Sequence, residues 1–205
     1  MAHHFISTAF TPEVLRAQEA YYGRSQKVPP APGPDELGAQ EEHFIGRRDS
    51  FYLASVNADG WPYIQHRGGP RGFLKVLDPH TLGFADLAGN RQLLTTGNVV
   101  TNDRVALFLM DYARRERLKL LGHAQIISAK ENPALAAELA PEGVPVRLVE
   151  RMFRIRVTGL DWNCPKYITP RFTAEEVERA AAPLRQRITE LEAALADARG
   201  GTPTS

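Results

Sequence analysis

Apolar residues alternate with small or polar ones through SFYLASVN (50–57), the period of a strand with one buried face. NADG (57–60) is a hairpin turn signal and WPYIQ (61–65) the returning strand. GFLKVLD (72–78) and TLGFAD (81–86) make a second pair across Asp-Pro-His. RVALFLMDY (104–112) is a nearly continuous apolar strand, joined by a charged turn to RLKLLGHAQIIS (117–128). ERMFRIRVTGLDW (150–162) alternates again, with Phe153, Ile155 and Val157 set against Arg154, Arg156 and Thr158. These are about seven short strands, mostly joined by tight turns, a pattern that predicts an antiparallel barrel or sandwich.

Helical signals flank this β region. Thr11 and Pro12 start a helix running to about Tyr22. KVPPAPGPDELG (27–38) is too rich in proline for a helix or central strand and reads as a surface connection, with a short helix over about Asp35–Gly46 following it. Asn132-Pro133 opens a helix over 132–140. Gly89-Asn90-Arg91-Gln92 reads as the start of a helix over 91–98, with Asn90 as its N-cap. Thr173 and Glu176 form a capping box for a long helix over 173–199. In it Val177, Leu184, Ile188, Leu191 and Leu195 are spaced 7, 4, 3 and 4. That stripe must be covered, by the chain's own barrel or by another chain. The divisions expected are 1–40 (helix and proline-rich connection), 41–172 (barrel) and 173–205 (terminal helix and tail).

Charge and composition narrow the function. With 25 Lys+Arg against 24 Asp+Glu in 205 residues, no basic excess points to nucleic acid. No apolar run approaches the length of a membrane span, and the first residues do not form a secretory signal. The single cysteine, Cys164, allows no intramolecular disulfide, so the expectation is a cytoplasmic protein.

Two segments carry candidate chemistry. Arg67 beside Gly68 and Gly69 sets a permanent cation against bare backbone amides, which suits a phosphate and equally suits a hairpin with solvated arginines. Lys75 lies in an apolar strand. Arg91 and Gln92, if in a first helical turn, face an anion-friendly terminus. The histidines show no metal spacing, and His3 and His4 read as part of a disordered terminus. Asp59, Asp78 and Asp86 fall at turns, where aspartate is ordinary. No nucleophile, acid–base pair or metal set is evident, so any chemistry must come from a cofactor.

The block from Asp49 to Ile126, with its Arg-Gly-Gly-Pro turn, Gly-Phe-Leu-Lys strand and Gly-Asn-Arg-Gln segment, resembles the pyridoxamine 5'-phosphate oxidase-like flavin-binding split barrels. It is most similar to the general FMN-binding branch, not to the vitamin B6 enzyme itself. The late Trp-Asn-Cys-Pro adds to the likeness, which spans about residues 41–172. The resemblance implies a mainly β fold with flanking helices, a six-stranded antiparallel split β-barrel that works as a homodimer with FMN at the subunit interface. It implies that Arg67, Lys75, Arg91 and Gln92 face the phosphate and ribityl chain, with Gly68 and Asn90 in the same turns. The backbone of 73–76, including Phe73 and Val76, would run along the isoalloxazine ring. Asn98 and the loop of Trp162, Asn163 and Cys164 would lie close to the ring, from the same chain or from the partner subunit. The function implied is that of an FMN-dependent oxidoreductase of undetermined substrate. The alternatives are a non-catalytic flavin sensor or storage protein, or a barrel that binds another ligand such as haem.

Overall fold

The computed structural model describes residues 3–89, 91–162 and 165–200. Its centre is one antiparallel sheet of seven strands in the order β2-β1-β5-β6-β7-β4-β3. The strands are β1 (Ser50–Val56), β2 (Pro62–Gly68), β3 (Lys75–Asp78), β4 (Thr81–Leu87), β5 (Arg104–Asp111), β6 (Glu116–Ser128) and β7 (Val149–Trp162). The sheet does not close by hydrogen bonds between β2 and β3. Side chains bring its ends together: Phe73 stacks on Phe51 at 5.6 Å, Phe51 meets Phe84 edge-on at 5.3 Å, and Phe84 stacks on Phe153 at 4.8 Å. This aromatic line joins β1 to β4 and β7 through the core, which is the arrangement of a split barrel. Alternation decides the inner face: Val105, Leu107 and Leu109 of β5 are buried, as are Leu118 and Leu120 of β6. A bulge at Leu121/Gly122 turns β6 against β7. A side chain at Gly122 would stand 2.6 Å from the Arg156 carbonyl oxygen, so only glycine fits there.

The helices are α1 (His3–Ala9), α2 (Pro12–Tyr22), α3 (Ala39–Gly46), α4 (Leu94–Thr101), α5 (Pro133–Leu139) and α6 (Ala174–Gly200). Thr11 caps α2 by accepting from Val14 N, and Asn132 caps α5 by accepting from Leu135 N. Thr173 and Glu176 exchange bonds at the start of α6 as their spacing predicts. A second apolar cluster, with Leu139 and Met152 fully buried, seats α5 on the outer side of β4 and β7.

Three expectations are corrected. His3 and His4 belong to an ordered helix, because the Asp35 carboxylate accepts the amides of His4 and Phe5 at 3.0 Å each and that of Leu160 in β7 at 3.1 Å. Gly159 leaves room for the contact: a Cβ there would lie 2.7 Å from Phe5 Cα. Burial pushes the Asp35 carboxyl up, but these amides outweigh it and hold the group below the ordinary carboxylate value. The helix after the proline-rich segment starts at Ala39, since the amides of Asp35 and Leu37 are spent on the carbonyls of Thr158 and Pro79. The helix placed at 91–98 begins instead at Leu94, with Leu93 at its N-cap in left-handed backbone (φ 56°). Tertiary ties decide this start: Thr95 donates to Gln65 at 2.9 Å and Asn98 to Ser55 at 2.9 Å, which lays α4 against β1 and β2.

Candidate functional site

Arg67 ends β2 opposite Phe51 and points across the barrel to β4. Its Nη1 meets Asp86 Oδ1 at 2.5 Å, and its guanidinium lies 5.1 Å from the Phe153 ring and 5.6 Å from that of Phe84. The other Asp86 oxygen takes Arg151 Nη1 at 2.7 Å, and Arg151 also binds Glu150 at 2.6 Å. The four groups form a locally neutral cluster. Asp86 is therefore a buried anchor in a strand, which corrects its reading as a turn residue. β4 is covered on both faces, so no alternation marks the position as internal. Arg67 keeps one unspent donor: its Nε is buried and has no acceptor among the described residues.

The turn after Arg67 is mostly self-satisfied. Gly69 N donates to Asp49 O, Gly72 N to Arg48 O and Phe73 N to Pro70 O, so those amides are not left bare. Gly69 is required by Phe73, whose Cγ would stand 2.7 Å from an added Cβ. Gly68 packs beside the His66 ring. Phe73 is buried in the core and Val76 is packed against it. The strand itself starts only at Lys75, whose Nζ donates to the Glu138 carbonyl at the end of α5. β3 is the last strand of the sheet, so one backbone edge of 75–78 has no strand beside it. Arg91 and Gln92 lie exposed in the irregular stretch before α4. Asn90, Asn163 and Cys164 lie outside the described residues.

Asn98 is anchored on Ser55, four residues along β1 from Phe51. Trp162 sits elsewhere. Its indole N–H donates to Glu41 Oε1 at 2.7 Å and its ring meets Phe44 of α3 edge-on at 4.8 Å. Along β7 it is nine residues from Phe153, on which Arg67 lies, or about 30 Å of extended strand. One chain thus gathers Arg67, Asp86 and Arg151, and keeps Trp162 away from them.

Elsewhere on the sheet, one face of β1, β2, β5 and β6 is mostly apolar, with Lys119 at its side. Tyr52, Ala54, Ile64, Ala106, Phe108 and Leu121 line a shallow groove of about 540 Å³. Ile64 is 63% exposed. Among the described residues no group of three His, Cys, Asp or Glu side chains could hold a metal ion, and no helix is long and apolar enough to cross a membrane.

Solved structures resemble the chain. HupZ from Group A Streptococcus superposes with a TM-score of 0.50 at 16% identity, over 66% of this chain and 99% of its own. A putative pyridoxamine 5'-phosphate oxidase from Lactobacillus delbrueckii gives 0.48 at 19% identity, over 62% and 94%. HutZ, the heme storage protein from Vibrio cholerae, gives 0.40 at 16%, over 61% and 93%. No curated protein sequence matches the chain. The sequence profile of the pyridoxamine 5'-phosphate oxidase family matches residues 37–158, more than half of the chain and all seven strands but the last turns of β7. The chain belongs to the pyridoxamine 5'-phosphate oxidase family.

Proposed function

We propose that this protein binds FMN and works as an FMN-dependent oxidoreductase, in a homodimer whose subunits meet on the apolar outer face of β1, β2, β5 and β6. Family membership carries the reading. The donor set supports it. Arg67 has a buried N–H with no acceptor, which a phosphate oxygen would satisfy. Lys75 and Arg91 would add two further cations, against the nearly two negative charges of a phosphate monoester. Arg67, Lys75, Arg91 and Gln92 would hold the phosphate and ribityl chain, with Asn98 near the ring. Bound FMN would supply hydride or electron transfer. The chain's own part is to orient the ring and exclude water from it. Trp162 stands too far along β7 to reach the Arg67 of its own chain, which fits a site completed by the Trp162 of a second copy.

The test is a fluorescence titration of cofactor-free protein with FMN and with riboflavin. Wild type should prefer FMN by roughly ten- to a hundredfold, the worth of one or two charge-assisted bonds to phosphate. Arg91→Ala should lose most of that preference and keep its affinity for riboflavin. Equal binding of both flavins by the wild type would remove the phosphate from the site. Anaerobic bleaching of the bound flavin by NADH or NADPH then separates an oxidoreductase from a storage protein.

A further inference from the structure

The stripe on α6 is exposed in the single chain: Val177, Leu184, Ile188, Leu191 and Leu195 are between 50% and 67% accessible. It is stricter than its five large residues suggest. Ala174, Ala181 and Ala198 complete an unbroken alternation of three- and four-residue steps, so every inward position of a heptad from 174 to 198 is apolar. A helix with such a face draws most of its stability from packing that face against a partner.

We propose that α6 pairs with α6 of a second copy of this chain as an antiparallel two-stranded coiled coil, centred between Thr189 and Glu190. The register follows from size and charge. Centred there, Ala181 lies against Ala198 of the second copy, Leu184 against Leu195, and Ile188 against Leu191, with the same layers repeated by the twofold axis. Small residues meet small ones at both ends of the six paired layers and large residues meet in the middle, with Ala174 and Val177 lying beyond the paired segment. The positions flanking the seam on one side read Glu178, Arg185, Glu192 and Arg199. In this register Arg185 faces Glu192 of the second copy, and Glu178 faces its Arg199, so all four flanking contacts join opposite charges.

Competing arrangements lose this match. Sliding the antiparallel pair by one heptad either way sets Glu192 against a glutamate and Arg185 against an arginine, and sets alanine layers against leucine or isoleucine. A parallel pair keeps equal layers, but its only flanking charge contact is Arg187 with Glu192. Pro183 agrees with the choice. It lies inside the helix at an outward position, where it removes one backbone hydrogen bond, and the antiparallel seam lies almost wholly on the segment after it. Within one chain Arg185 binds Glu178 and Arg187 binds Glu190 at 3.0 Å, all on exposed side chains that can exchange partners at little cost.

Spin labels on the full-length protein test the pairing without reference to flavin. In a Cys164→Ser background, Thr189→Cys and Ala196→Cys each place one label on the same outward face of α6. The antiparallel register sets the two labels at 189 about 1.5 Å apart along the axis and the two at 196 about 20 Å apart. The distance measured between labels at 196 should therefore be much the longer. Adding Arg185→Glu should abolish the defined distances, and Arg185→Glu with Glu192→Arg should restore them. Equal distances at both positions would mean a parallel pair and overturn the proposal. So would the absence of any interchain coupling, or a failure of the double charge exchange to restore it.

Discussion

Replacing Asp86 with alanine should lower the stability of the fold by about 3–5 kcal/mol, the usual cost of leaving a buried charge without its partner. Asp86 is 6% exposed and is shared by Arg67 and Arg151, whose side chains are 10% and 17% exposed. Without the carboxylate, Arg67 is left over the rings of Phe84 and Phe153 with only cation–π attraction to offset its desolvation. The damage also reaches the shape of the barrel. Arg67 ends β2 at one side of the sheet and Asp86 belongs to β4 at the other, so their bond draws together the edges that the ladder leaves open. Urea unfolding monitored by tryptophan fluorescence reads the loss as a lower midpoint at unchanged slope. The pair Arg67→Met with Asp86→Leu removes both charges and should recover most of the stability. A loss under about 1 kcal/mol in Asp86→Ala would show that the cluster is not holding the barrel's open side.

Arg48→Met should cost a similar amount, again about 3–5 kcal/mol at neutral pH, and the cost should shrink in acid. Arg48 donates to the carbonyls of Phe44 at 3.1 Å and Met110 at 2.8 Å, and meets Asp111 Oδ2 at 2.7 Å. It thereby ties the end of α3 to the end of β5. Burial pushes the Asp111 carboxyl up, but the Arg114 amide and the charge of Arg48 outweigh it and hold the group below its ordinary value. A depressed carboxyl contributes stability that is present above its unfolded pKa and is lost as pH falls through its folded one. The wild type should therefore weaken below about pH 4. In Arg48→Met the buried carboxylate has lost its main countercharge, so its pKa rises and protonation in acid relieves the strain. The gap between the two proteins, measured by urea unfolding at pH 7 and at about pH 3, should narrow in acid. A gap independent of pH would mean that Arg48 acts through packing and its carbonyl bonds alone.

Strands and caps were legible because they depend on near neighbours. The alternation in β1, β5, β6 and β7 carries its own inner face, and Thr173 with Glu176 spells its cap within four residues. What escaped depends on the curl of the sheet. Arg67 stood out for its glycines, but its partner Asp86 looks like any aspartate after a strand until β4 is buried on both faces. Asp35 sits in a proline-rich run that reads as surface, and only the return of β7 beside α1 turns it into a buried acceptor. Local capping preferences favour Asn90 as the start of α4, whereas Thr95 and Asn98 are fixed by Gln65 and Ser55 of other strands. The resemblance sets Trp162 close to the flavin ring, on a different part of the cofactor from Arg67. Its distance from Arg67 within one chain follows only from the full length of β7.

The proposed flavin site, built by two chains and holding the cofactor by its phosphate, is open to native mass spectrometry of the purified full-length protein after incubation with FMN. Expected are assemblies with an even number of chains, each carrying one FMN per chain, and no such adduct with riboflavin at the same concentration. A monomer without flavin, or a haem mass in place of FMN, would contradict it.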